Sequence, residues 1–140
     1  MKKWVVLLSI AASCSYGQAA WFTISGDRLD SAVDTIEVDP VPVSVDPGEG
    51  LRTLRVRVSR AMPRTSWDGV AYRSYESEVV FDCFNNTARY ASIVFYMQPV
   101  WTGRSHNTSV YSKGKPRWME FRDVKPNPTA RIVRAACQSY

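Results

Sequence analysis

The sequence predicts an α+β fold, in which an antiparallel β-sheet of about five to six strands carries a C-terminal helix on one face, tethered by a disulfide. Three observations lead to this prediction. Several runs alternate apolar and polar residues with the period of two that is typical of half-buried strands. A single stretch near the C-terminus has an apolar stripe with helical spacing. One cysteine, Cys83, ends a predicted strand, and another, Cys137, lies on the apolar stripe of the predicted helix.

The N-terminus predicts a secretory signal peptide over residues 1–19, followed by one domain over residues 20–140. Lys2 and Lys3 precede the uncharged run from Trp4 to Ala12, and small residues follow this run. Nine residues span only about 14 Å as a helix. This length is too short for a hydrocarbon core of about 30 Å. No apolar run in the sequence reaches the roughly 18 residues of a spanning helix, so we do not expect a transmembrane span in the mature chain.

The sequence offers one alternative to cleavage after residue 19, namely processing at Cys14. The segment Ala11-Ala12-Ser13-Cys14 is similar to a bacterial lipobox, in which the cysteine becomes a lipidated N-terminus, although Ala11 stands where such boxes usually carry Leu. Plain cleavage is favoured, with lipid attachment at Cys14 as the alternative. Both outcomes remove Cys14 from the thiols that can pair.

The two remaining cysteines predict one disulfide between Cys83 and Cys137, because thiols oxidise outside the cytosol. The chain-entropy model gives about 4 kcal/mol of stabilisation for a loop of this length. Two free buried cysteines, or a zinc site that includes the single histidine, His106, are less favoured. We therefore expect no metal and no cofactor.

The first part of the mature chain predicts short strands separated by turns. Val41 to Asp46 is assigned to an edge or a loop, because Pro42 lacks the N–H group that a central strand needs. The other predicted elements are strands at Trp21–Ile24 and Thr35–Asp39 and a turn at Pro47–Gly50.

The middle of the chain gives the clearest strand patterns. A strand through Leu54, Val56 and Val58 is followed by a polar connection from Met62 to Gly69. The next strand places Tyr75, Ser77, Val79, Phe81 and Cys83 on one face and Glu76, Glu78 and Asp82 on the other. After a hairpin at Asn85-Asn86, the return strand is predicted to place Ala91, Ile93, Phe95 and Met97 opposite Tyr90, Ser92, Val94 and Tyr96.

The C-terminal part predicts two short strands, at Thr108–Tyr111 and Trp118–Phe121, and one helix. Asn127 can cap the helix and Pro128 suits its first position. The helix is predicted from Thr129 to Gln138, with Ile132, Val133, Ala136 and Cys137 on its apolar stripe.

The charge balance argues against nucleic-acid binding. Removal of Lys2 and Lys3 leaves 16 basic and 13 acidic residues, so the net charge falls from +5 to +3. Five arginines gather between residues 52 and 64, and we interpret them as the solvated face of a strand; they are Arg52, Arg55, Arg57, Arg60 and Arg64.

No residue pattern predicts catalysis, and we expect the protein not to be an enzyme. Glu76 and Glu78 lie about 7 Å apart on one strand face, where their role is expected to be solubility. Ser105 and His106 are adjacent, so on a strand they point to opposite faces, and His106 is assigned to a polar surface loop. The tryptophans and tyrosines are the residue types that dominate binding surfaces, although they can equally fill a thin core.

An ordered set of short motifs resembles the surface-adhesin protein E-like family of small exported bacterial proteins. The motifs are Trp21, Val38-Asp39-Pro40, Tyr72-Arg73-Ser74, Val80-Phe81-Asp82-Cys83, Tyr96, Gly103, Trp118 and Ala135-Ala136-Cys137. The resemblance implies an antiparallel sheet with a disulfide-held C-terminal helix, as the residue patterns also predict. It further implies a surface role in adhesion to host matrix proteins and the ability to form a homodimer.

Two functions follow as hypotheses. The first is a non-catalytic protein-binding module in the periplasm, on the outer membrane or on the cell surface, whose partners are host extracellular-matrix proteins such as vitronectin or laminin. The second is a structural or assembly component of the cell envelope that binds other envelope proteins. No motif identifies the ligand-contact residues.

Overall fold

The structure, a computed structural model, describes residues 20–138, so the predicted signal peptide and Cys14 lie outside the described residues. It contains one eight-stranded antiparallel sheet and one α-helix. The strands are β1 (Phe22–Ser25), β2 (Thr35–Val38), β3 (Ser44–Asp46), β4 (Leu51–Thr65), β5 (Ala71–Asp82), β6 (Thr87–Tyr96), β7 (Ser105–Val110) and β8 (Arg117–Trp118). A 3-10 turn covers Pro99–Trp101, and the helix α1 covers Thr129–Gln138.

The strand order β1-β2-β4-β5-β6-β7 confirms the predicted fold class. The sheet has more strands than expected, because two short segments pair with strands already in it: β3 pairs with β4, and β8 pairs with β6. β7 forms one margin of the sheet; it is mostly exposed and consists of polar residues apart from Val110.

One face of the sheet carries the hydrophobic core, and we call it the core face. Leu54, Val56, Val79 and Phe81 are at most 1% exposed and alternate along β4 and β5 as predicted. The helix covers this face with its own buried residues, Ile132, Val133 and Ala136. Its start is capped as predicted, since the amide of Thr129 donates to Asn127 Oδ1 at 3.0 Å.

The β4–β5 hairpin is longer than predicted. Residues 62–65 were expected to be a polar connection, but β4 continues through Pro63 to Thr65, and only residues 66–70 form the turn. The pairing of β4 with β5 shifts register between Ser59 and Arg64. Pro63 is tolerated because it lies in this irregular stretch, where the regular ladder is interrupted.

A second irregularity corrects the predicted faces of β6. The register shifts between Glu78 and Val79, so that Glu78 pairs with Ser92 and Val79 pairs with Tyr90. The extra residue, Ala91, reverses the alternation, and Tyr90 is therefore buried on the core face rather than opposite to it. Met97, predicted for the apolar face, lies beyond the end of β6 and is half exposed.

Two C-terminal predictions are also corrected. His106 lies within β7, which begins at Ser105, rather than in a loop. Of the predicted strand Trp118–Phe121 only Trp118 pairs with β6, together with the preceding Arg117; Met119 and Phe121 instead pack into the core from an irregular segment. Because the backbone leaves the sheet there, the side chains of Met119 and Phe121 pack into the core without extending a strand.

Candidate functional site

The disulfide between Cys83 and Cys137 joins the end of β5 to the last turn of α1. The two Cα atoms lie 5.6 Å apart, and 54 residues separate the cysteines in the sequence. On the same side, Arg52 extends from β4 beneath the helix and donates a hydrogen bond of 3.3 Å to the carbonyl oxygen of Ala136. The helix is therefore fixed to the sheet by a covalent and a polar contact near the same end.

The interpretation of the five arginines as the solvated face of one strand is wrong, because they divide between the two faces of the sheet. Arg52 and Arg60 alternate with the apolar residues of β4, so both side chains lie on the core face and are less than 10% exposed. Arg55 and Arg57 point to the opposite face. Arg64 follows the register shift and is exposed. The period-two alternation along β4 predicts that its arginines divide between the two faces. The interpretation as one solvated face followed instead from the number of charges in the segment.

Arg57 is the centre of a polar cluster on the face opposite the core. Its guanidinium lies between two indole rings, 4.2 Å from the centroid of Trp21 and 3.9 Å from that of Trp101. It donates two hydrogen bonds to Glu37, which is fully buried and also accepts from Arg28 Nη2 at 2.8 Å and Thr23 Oγ1 at 2.8 Å. Every group in this cluster has a partner, which indicates a structural role.

The 3-10 turn holds Trp101 in this cluster through an unusual backbone. Val100 and Trp101 have φ angles of 49° and 56°, a region that side chains, and β-branched ones above all, rarely adopt. Their amides donate to the hydroxyl groups of Ser59 and Ser74, at 2.9 and 3.1 Å. The indole N–H of Trp101 donates to the carbonyl oxygens of Val58 and Tyr75, so the strained turn closes over the gap between β4 and β5.

An exposed aromatic groove lies on the same face, at the end of the sheet that carries the disulfide. It has a volume of about 350 Å³ and is lined by Phe84 and Trp118, which are 69% and 47% exposed. Phe84 is in the β5–β6 turn, and Trp118 is in β8, paired with Arg89. We refer to it as the aromatic groove. The sequence predicts a strand that begins at Trp118, but it gives no reason to place this residue near Phe84.

The turn that carries Phe84 is fixed by Asp82 and Gly50. The carboxylate of Asp82 accepts hydrogen bonds from the amides of Phe84 and Asn85 and from the Asn85 side chain. The side-chain hydrogen bond from Asn85 lowers the pKa of Asp82, so this carboxylate stays ionised and engaged within the turn. Gly50 has a φ of 66°, and a Cβ there would lie 2.6 Å from Cγ of Phe84, so the ring rests directly on the glycine backbone.

The remaining charges of the aromatic groove are mostly positive. Arg89 and Lys113 line it together with the exposed Glu49. With the ionised Asp82 counted, the lining carries two cations and two carboxylates, but hydrogen bonds within its own turn occupy the oxygens of Asp82. This combination can bind a protein segment in which apolar residues lie beside acidic ones.

The residues considered for catalysis do not converge. Glu76 and Glu78 are half buried on the face opposite the core, in register with Arg57 and Arg55. His106 is exposed, and its Nε2 lies 2.7 Å from the carbonyl oxygen of Ala71. Within residues 20–138, no three His, Cys, Asp or Glu side chains gather as ligands for a metal ion. None of the helices in this described part of the chain is long and apolar enough to cross a membrane.

The fold and the site define a class: a small α+β domain with a disulfide-tethered helix and an exposed aromatic groove, suited to binding. A family profile described as surface-adhesin protein E matches residues 21–138. The chain belongs to this family, as the resemblance in the sequence predicted. The family suggests a non-enzymatic protein that is exported or at the surface. No curated protein and no solved structure matches the chain.

Proposed function

We propose that the mature chain, residues 20–140, is a bacterial surface protein that binds host extracellular-matrix proteins without catalysis, through the aromatic groove. The proposal includes export by the signal peptide of residues 1–19. The observation that carries it is the exposure of two large aromatic side chains, Phe84 and Trp118, on one groove.

The exposure of these rings supports a binding role on energetic grounds. Burial of apolar surface contributes roughly 25 cal/mol per Å². The two aromatic rings remain in solvent after folding, so a partner that buries them would stabilise the complex. Tryptophan is among the residues that most often dominate protein interfaces when a partner covers them. The groove therefore offers a buried centre for an interface, with Arg89 and Lys113 at its sides.

The expected partner surface combines an apolar side chain with neighbouring acidic residues. The apolar side chain would fill the space between Phe84 and Trp118, and the acidic residues would pair with Arg89 and Lys113. The net charge of +3 for the mature chain favours the approach of such an acidic segment.

The test is saturable binding of the purified, oxidised mature chain to immobilised vitronectin and laminin. We expect Phe84→Ala and Trp118→Ala each to weaken binding at least tenfold. Phe22→Ala is the matched control, because Phe22 is 61% exposed on β1, far along the strand order from this groove. Absence of binding across a panel of matrix proteins would contradict the proposal, as would equal loss with the Phe22 variant.

The alternative function is a structural or assembly role in the cell envelope. It is motivated by the lipobox-like segment that ends at Cys14. Intact mass of the natively exported protein reports the cleavage site and whether Cys14 carries a lipid. Co-purification with an envelope complex, or a homodimer that buries the aromatic groove, would favour the assembly role.

A further inference from the structure

A cavity of about 300 Å³ remains between the core face and the chain that follows β8. It is separate from the aromatic groove, which lies on the opposite face and shares none of its lining residues. The volume is at the lower end of the roughly 300–1,000 Å³ that is usual for ligand pockets. A single small ring fits this space better than an extended chain.

Aromatic rings form the inner wall of the cavity. Tyr72, Tyr75 and Phe95 contact one another edge to face or tilted, with ring centroids 5.3–6.1 Å apart. The hydroxyl groups of Tyr75 and Tyr90 lie 2.6 Å apart and share a hydrogen bond. This wall is mostly apolar, but it also carries hydroxyl groups.

Trp67 forms the outer part of the wall. It is 54% exposed, and its ring lies 5.6 Å from that of Tyr90. The hairpin turn that carries Trp67 is held down by its neighbour Asp68, which accepts a 2.6 Å hydrogen bond from Tyr111 and lies 3.5 Å from Arg117. The exposed indole of Trp67 is therefore held beside the cavity by contacts of its turn, and its own N–H group takes no part in these contacts.

Charged groups with both donors and acceptors complete the lining. Arg60 is buried, and its Nη1 donates to Asp123 Oδ2 at 3.1 Å. Its Nε is also buried and has no hydrogen-bond partner among the described residues. Arg64 pairs with the same carboxylate of Asp123 at 3.0 Å. The side chains of Arg64 and Asp123 are 41% and 39% exposed, so their remaining N–H groups and oxygen lone pairs can bind hydroxyl groups of a ligand in the cavity.

The cavity is lined by equal numbers of positive and negative side chains, and this balance indicates the charge of the ligand that it can bind. Two cations, Arg60 and Arg64, face two acidic side chains, Asp123 and Glu120. An anion would approach the carboxylates unfavourably, and a cation would approach the guanidinium groups unfavourably. The favoured ligand is uncharged, carries several hydroxyl groups that both donate and accept, and has an apolar face for the aromatic rings.

We propose that this cavity binds a neutral sugar ring, with one apolar face against Trp67 and hydroxyl groups toward Arg60 and Asp123. A pyranose combines the C–H face and the ring of hydroxyl groups that the lining complements. This cavity does not depend on the aromatic groove, so sugar binding and matrix-protein binding are separate proposals, and a negative result for one leaves the other unaffected.

The experiment is titration of the oxidised mature chain with methyl glycosides of glucose, galactose, mannose and N-acetylglucosamine, followed by saturation-transfer NMR and tryptophan fluorescence. At least one glycoside is expected to saturate the site with a Kd of about 1 mM or below. Trp67→Ala should weaken this binding at least tenfold. Phe22→Ala, which removes an exposed aromatic side chain on β1 that lines neither the cavity nor the aromatic groove, should leave it unchanged.

Asp123→Asn provides a second arm, because it keeps the shape of the side chain but removes the charge that orients both arginines. It is expected to weaken glycoside binding, and circular dichroism establishes that the variant is folded. Failure of all four glycosides to saturate at about 50 mM would overturn the proposal. Binding that survives Trp67→Ala, or tighter binding of benzoate than of any glycoside, would also overturn it.

Discussion

Arg57 donates two hydrogen bonds to a single carboxylate oxygen of Glu37, from Nε at 2.9 Å and from Nη2 at 2.7 Å. The two residues are direct cross-strand partners on β2 and β4. Because Glu37 is fully buried, its charge is stabilised by these contacts and not by water. The pair therefore fixes the register of β2 on β4 as well as satisfying two charges.

Glu37→Gln should lower the free energy of unfolding by about 3 kcal/mol, because it leaves the guanidinium of Arg57 without its charge partner between two rings. Urea unfolding followed by circular dichroism measures the change. Glu49→Gln is the matched control, since Glu49 is exposed, and it is expected to change stability by less than about 0.5 kcal/mol. Equal effects of the two substitutions would show that the ion pair contributes nothing beyond a surface charge.

Joint replacement of Cys83 and Cys137 by Ala should destabilise the protein by about 4 kcal/mol. The loss arises because the unfolded chain regains the freedom that a crosslink over 54 residues had removed. Thermal and urea unfolding of the double variant and of the oxidised parent give the difference. Reduction of the parent should reproduce most of it, and a double variant as stable as the oxidised parent would refute this account of the tether.

Gly50→Ala should destabilise the protein by about 1–2 kcal/mol, since alanine is strained at a φ of 66°. It should also displace the ring of Phe84, because the new Cβ would overlap it. Gly48→Ala is the control: the nearest atom to its Cβ is 3.7 Å away, an ordinary contact. The shift of the Phe84 ring signals in NMR spectra distinguishes displacement from simple loss of stability. No ring shift in the Gly50 variant would contradict the packing described.

Alkaline pH should unfold the protein through its tyrosines. Burial and the hydrogen bond to Asp68 raise the pKa of Tyr111 to about 12, and burial also raises the pKa of Tyr75 and of Tyr90. Below pH 10 these groups are neutral in both states, so their contribution to stability is fully present. Between pH 10 and about 12 only the unfolded chain loses these protons, and stability falls as the pH rises.

Absorbance of tyrosinate at 295 nm, recorded with circular dichroism, measures this titration. Tyr111→Phe should make the fall in stability above pH 10 shallower, because one of the groups that drives it is gone. Ionisation of all tyrosines near pH 10 in a chain that is still folded would contradict the burial described here.

The fold could be predicted from the sequence where a simple period governs it. Alternation placed Val79 and Phe81 on the buried face, and the Asn127 cap placed the start of the helix. The predicted face of Tyr90 was wrong, because the extra residue Ala91 reverses the alternation and no residue pattern marks it. Residues 62–65 were assigned to a connection because Pro63 is read as a strand breaker, whereas an irregular pairing tolerates it.

The candidate site could be predicted only in its residue types. Arg60 was counted with solvated arginines, although it alternates with Val56 and Val58 and is buried beside tyrosines. Phe84 and Trp118 come together because β8 pairs back onto β6, through residue pairs that lie 27 and 29 positions apart in the chain. Such long-range pairing leaves no local signal, so the aromatic groove and the cavity emerge only from the folded structure.

The polar composition of β7 has a consequence for self-association. A strand at the margin of a sheet exposes unpaired N–H and C=O groups that can template the addition of further chains. Ser105, Asn107 and Thr108 offer such an added strand little apolar surface to bury, so fibrillar stacking at this margin gains little free energy. Addition of a strand at this margin would therefore depend on main-chain hydrogen bonds and not on side-chain packing.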